Sequence, residues 1–141
     1  MLSAIVFAAA GMVAAPPMSG HVMIANGWFR ALPAKLPAGG YFDLRNIGKL
    51  PVTLVHADSP ACAMTMLHKS EEKNGLDSMS DVSTIDVPAG GAARFAPGGY
   101  HLMCMDPGPT MKPGASVEVN FHFSDGSIAT AHFPVRNAAG Q

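Results

Sequence analysis

The chain has 141 residues, of which only 13% are charged, and a formal net charge of −1. That length makes one domain with a single sizeable core, and so little charge leaves no basic field for nucleic acid and no acidic block for a solvated tail. What stands in excess is 10 Met and 6 His against 2 Cys, with 12 Pro and 15 Gly as turn punctuation, a mixture that suits a loop-rich all-β domain better than a helical one.

Residues 2–15 are apolar or small, too few to cross a bilayer as a helix, and match the apolar centre of a secretory signal. Val13-Ala14-Ala15 supplies small residues before a cut, although Pro16 is a poor neighbour for one. The expectation is export, with residues 1–20 as a processing segment, 21–136 as the domain and 137–141 as a short tail. Outside the cytoplasm the compartment is oxidising, and after processing no membrane span is expected.

Strand-like composition follows at 21–30, and a Pro/Gly loop at 33–40 interrupts it. Gly40-Tyr41-Phe42-Asp43-Leu44-Arg45-Asn46 alternates, with Phe42 and Leu44 on one face and Asp43 and Arg45 on the other. Further strands are expected at 50–57, 61–69, 77–87, 92–96 and 98–107, with Asp58-Ser59-Pro60, the polar stretch 71–75 and Pro88-Ala89-Gly90-Gly91 as breaks. Residues 117–123 and 127–135 flank Asp125-Gly126, the signal for a two-residue hairpin turn. That turn places Val117, Val119, Phe121 and Phe123 with Ile128 on a buried face and His132 opposite Val119, while His122 lies on the wet face. Some nine short strands without a convincing amphipathic helix predict an antiparallel β-sandwich or barrel.

Two of these strands carry chemistry. In Tyr100-His101-Leu102-Met103-Cys104-Met105, alternation puts His101, Met103 and Met105 on one face and Leu102 and Cys104 on the other. Met64, Met66 and His68 share a face in the same way. Imidazoles and thioethers are borderline and soft donors, of the kind that select monovalent copper over harder divalent ions.

His68 is followed after ten residues by Met79, then after twenty-one by His101, then by Met103 one residue beyond. This His-x10-Met-x21-His-x-Met spacing resembles the copper-binding signature of the periplasmic copper chaperones of the PCuAC type. This chain's composition would produce it by accident roughly once in a thousand. Gly40-Tyr41-Phe42-Asp43-Leu44-Arg45-Asn46-Ile47-Gly48, Val87-Pro88-Ala89-Gly90-Gly91 and Pro97-Gly98-Gly99-Tyr100-His101-Leu102-Met103 are similar to further family blocks, so the resemblance spans about residues 21–135. It implies a single-domain, cupredoxin-like antiparallel Greek-key β-sandwich in the periplasm; a monomer is expected. It also implies that one Cu(I) is held by His68, Met79, His101 and Met103 and delivered to an acceptor, for which the binuclear copper site of cytochrome c oxidase subunit II is expected, beside a Sco-type thiol protein.

The remaining donors read more plainly. Met64, Met66 and Met105 are expected as packing or rim methionines, and His21, His56, His122 and His132 as structural or solvated. Cys104 replaces the apolar residue usual in the family and is expected in the core rather than on the metal. With regular strands Cys62 and Cys104 face opposite ways and stay separate thiols; a bulge would overturn that. The absent His/Met-rich tail puts in doubt a second copper, particularly a divalent one. A blue-copper electron carrier needs a Cys, two His and a weak axial Met, and no His follows Cys104 before His122. Copper storage and a sandwich used only for protein contacts remain as alternatives. No Ser/His/Asp, paired-carboxylate or open zinc pattern suggests an enzyme.

Overall fold

The computed structural model describes Ser3, Ile5 and residues 16–141. The processing segment expected at 1–20 therefore falls largely outside the described residues. Met18–His21 form a 3-10 turn that caps the domain, with the Met18 N–H donating to Asp125 Oδ2 at 2.8 Å and the Ser19 N–H to Ser127 Oγ at 3.0 Å.

Ten strands follow: β1 (Val22–Arg30), β2 (Ala38–Asn46), β3 (Val52–Asp58), β4 (Cys62–Lys73), β5 (Leu76–Asp81), β6 (Ile85–Val87), β7 (Ala92–Phe95), β8 (Tyr100–Pro107), β9 (Ser116–Phe123) and β10 (Ile128–Arg136). They hydrogen-bond in the order β5-β4-β8-β7-β2-β1-β10-β9-β3-β6. This is an all-β sandwich: the run from β5 to β1 faces the run from β10 to β6, and the hinge between them is the parallel pair Phe29↔Val135 and Arg30↔Arg136. The ladders are antiparallel apart from this pair and the single parallel bridge of Phe95 to Tyr100. Period-two alternation explains the core. Phe42 and Leu44 of β2, Val119, Phe121 and Phe123 of β9, and Phe133 of β10 are all at most 2% exposed. Phe42 stacks on Phe95 at 4.1 Å and meets Phe121 edge-on at 4.9 Å, so one ring ties both layers together.

Three sequence expectations change. First, the stretch 77–87 is not one strand: β5 joins β4 in one layer and β6 joins β3 in the other. The polar stretch 71–75 becomes the end of β4 and a tight hairpin at Asn74 (φ 53°) and Gly75 (φ 76°), the left-handed pair that an Asn-Gly turn supplies.

Second, the last hairpin has a three-residue loop, closed by the Phe123 N–H on the Ser127 carbonyl at 3.0 Å, with Gly126 at φ 85°. Its register is Ile128↔His122 and His132↔Glu118, so Ile128 and His132 lie exposed with the polar face. Because side chains alternate every residue, one extra loop residue moved the whole returning strand to the other face.

Third, Cys62 and Cys104 form a disulfide, with Cα atoms 5.3 Å apart. The strands are irregular at this end. Asp106 takes φ 50°, and Ala63 and Met64 are both exposed, so alternation breaks between them and Cys62 turns onto the core. The Gly108 N–H, donating to the Ala61 carbonyl at 2.8 Å, fastens this corner. Cys104 is fully buried, as its core reading required.

Candidate functional site

The face of β4 and β8 that points away from the core is built by the same alternation. Leu67, Leu102 and Cys104 are buried inward, leaving Met64, Met66 and His68 with His101, Met103 and Met105 on the outside. The antiparallel register sets His68 opposite His101, Met66 opposite Met103 and Met64 opposite Met105. The two imidazoles meet edge to face with centroids 5.5 Å apart. Met103 stands two residues from His101 on the same face. On the other side of β4, the hairpin at Asn74-Gly75 sets Ser70 opposite Met79 and His68 opposite Asp81. Directly opposed residues share a face. His68, Met79, His101 and Met103 are therefore brought to one face of three adjacent strands, with Met79, at 61% exposed, out on an arm whose strand β5 is exposed throughout.

The two histidines are held differently. His101 is only 5% exposed, and its Nδ1 lies 3.2 Å from the Gly99 carbonyl. A carbonyl can only accept, so Nδ1 carries the proton and Nε2 is left with a lone pair. That Nε2 is buried without any hydrogen-bond partner, a costly arrangement for a polar atom unless a ligand completes it. Burial lowers the His101 pKa below its usual 6.5; the Gly99 carbonyl opposes the shift, and the neighbouring His68 adds to it. The ring is thus kept neutral, the form that binds metal.

His68 Nε2 comes within 2.8 Å of Asp81 Oδ1, but the approach is not aligned as a hydrogen bond and both ring nitrogens remain unpartnered. Asp81 escaped the sequence reading because its position depends on the Asn74-Gly75 register. Among the described residues no three His, Cys, Asp or Glu side chains are arranged to hold a metal; beside the His68–His101 pair stand the thioethers of the same face and the single carboxylate of Asp81. Imidazoles with thioethers suit a soft monovalent ion better than a hard one.

The other histidines lie elsewhere. On the outer face of the second layer, His56 stands opposite His122 with ring centroids 5.7 Å apart. Asp58 Oδ2 reaches His122 Nε2 at 2.7 Å and His56 Nε2 only at 4.0 Å. His56 thus gains neighbours that spacing did not disclose, while His122 has a carboxylate partner beyond plain solvation. His132 lies exposed opposite Glu118.

The fold places the chain in a known structural class. Its fold is that of the PCuAC domains. It superposes on the copper-bound PCuAC domain from PmoF2 with a TM-score of 0.69 at 22% identity, covering 84% of this chain and 94% of that one. On apo-DR1885 from Deinococcus radiodurans the TM-score is 0.64 at 24% identity, covering 97% and 91%, and a Cu(I)-bound form of DR1885 matches with the same TM-score. At these identities the likeness is one of fold. By sequence, the family model "Putative lipoprotein LpqE-like" matches residues 22–135, and the chain is 32% identical over 120 residues to "Putative lipoprotein Lxx21020" of Leifsonia xyli subsp. xyli, covering 84% of this chain and 72% of that protein. The chain belongs to the LpqE-like family.

Proposed function

We propose that this protein is a Cu(I) carrier acting outside the cytoplasm, and that His68, Met79, His101 and Met103 hold one copper ion as cargo. The observation that carries this reading is the buried, unpartnered His101 Nε2, kept neutral by its burial and set opposite His68 with Met103 on the same face. The copper held by the PmoF2 and DR1885 domains of the same fold supports it, and the lipoprotein names of its relatives support an exported location. Among the described residues no helix is long and apolar enough to cross a membrane.

The chemistry fits delivery better than permanent retention. Four neutral ligands leave the ion its charge and grip it less firmly than thiolates, so exchange into a thiolate-rich acceptor runs downhill. Met79 is the ligand placed to leave first, because its strand has solvent on every side chain. Thioethers also persist where thiols oxidise, and here the two cysteines are closed into a disulfide. The acceptor we propose is the binuclear copper site of cytochrome c oxidase subunit II, with residues 1–20 as the segment processed during export and the carrier acting as a monomer.

Competition for Cu(I) against a chromophoric chelator tests the site. His101→Ala and Met103→Ala should each weaken binding by at least about tenfold, the factor that 1.4 kcal/mol corresponds to; wild-type affinity in both variants would refute the assignment. Transfer to an oxidase subunit II fragment within minutes supports delivery. Retention of copper over hours would leave storage or scavenging as the function.

A further inference from the structure

We propose that Met64, Met66 and Met105 form a second binding place for a soft monovalent metal ion, next to the His68–His101 site and separate from it. Four methionines occupy two consecutive rungs of the β4–β8 ladder, Met66 opposite Met103 and Met64 opposite Met105. They share the outer face with the imidazole rung. None of the four belongs to the hydrophobic core or packs against it, whereas Met111 is buried there and Met18 lies against it. Met64 is 57% exposed. Met66, Met103 and Met105 are half-buried on this outer face, so packing in the core does not account for the four.

The geometry gives three sulfurs a common point. Side chains directly opposed across an antiparallel pair have Cβ atoms about 4.5–5.5 Å apart, and diagonal neighbours about 7–8 Å. Met64 and Met105 are opposed, and Met66 is diagonal to Met105 and two residues from Met64 on the same face. The three flexible thioethers can converge above the sheet. Met103, opposite Met66, is assigned to the imidazole site, so the two donor sets occupy adjacent rungs and share no ligand. A three-thioether set carries no proton to lose and no charge, and it holds Cu(I) or Ag(I) more weakly than the site with imidazoles. It thus makes a second position one rung from the first site, at the end of the ladder where Met64 is exposed.

The test uses Ag(I), which is soft, monovalent and stable to air, on the full chain with carbon-13-labelled methionine methyls. The wild type should bind two equivalents. The first should shift the Met79 and Met103 methyls, and the second those of Met64, Met66 and Met105. The variant carrying Met64→Leu, Met66→Leu and Met105→Leu keeps the volume of each side chain and should bind one equivalent, with first-site affinity within about twofold of wild type. Methyls of Met64, Met66 and Met105 that stay unmoved through two equivalents, or a triple variant that still takes two, would overturn the proposal and leave the carrier reading intact. If His68→Ala with His101→Ala binds the first equivalent as tightly as wild type while the three methyls still shift, the carrier site is wrong and the methionine site stands.

Discussion

At the scale of single residues, the decisive atom is His101 Nε2. Its neighbour nitrogen is committed to the Gly99 carbonyl, so the ring has one tautomer and one free lone pair, and burial resists adding a proton to it. Because the folded pKa lies below 6.5, the unfolded chain takes up a proton here at a pH where the folded chain does not. Proton uptake then favours unfolding. The apo protein should hold its full stability above about pH 6.5 and lose part of it as pH falls from there toward the lower folded value. Urea midpoints across that range should show the decline, and His101→Gln should flatten it. Copper affinity has the same sign: it should persist slightly below pH 6.5 and then fall as protons compete for the ring. An affinity independent of pH between about 8 and 5 would mean that sulfur alone holds the ion.

At the scale of elements, the β4–β5 arm and the β4–β8 pair contribute differently. The arm depends on left-handed backbone at Asn74 and Gly75, and it presents Met79 without burying any of its own strand. Gly75→Val forces a branched residue into that conformation at roughly 1–2 kcal/mol. It should weaken copper binding about five- to thirtyfold, the factor this energy corresponds to, with little change in thermal midpoint. Equal losses of both would mean that the arm is part of the core's cooperative unit. The disulfide acts oppositely. It ties the start of β4 to fully buried Cys104, so Cys62→Ala with Cys104→Ala should cost about 2–4 kcal/mol in denaturant unfolding. The Asn74-Gly75 hairpin was not read from the sequence, because its place inside the polar stretch 71–75 reads as a loose turn. The disulfide was not legible, because parity argues against it until Asp106 is known to bend the strand.

At the scale of the whole molecule, the two layers share one aromatic core, and Phe42 touches rings from both. Phe42 is 1% exposed and packs on Phe95, Phe121 and Phe133. Phe42→Ala should cost about 3–5 kcal/mol of stability, while the folded fraction keeps wild-type copper affinity, because the donors face outward from the same sheet. Loss of affinity in parallel with stability would show that the outer face depends on core packing more closely than the alternation suggests.

The sequence by itself determined the fold class, the core face of β2 and β9, and the candidate donors. Period-two alternation and donor chemistry are local properties, and a strand displays them wherever it lies. The donor spacing drew His68, Met79, His101 and Met103 together only through resemblance. What the tertiary structure decided is register. Register sets His68 against His101 and Asp81, and stacks Met66 on Met103 and Met64 on Met105. It turns His132 outward, while the local bend at Asp106 and the break in alternation at Ala63-Met64 let Cys62 close onto Cys104 without a change of register. A single extra residue in a loop or a bulge reverses every side chain after it. In the last hairpin that residue is set by the backbone at Gly126, which composition does not reveal.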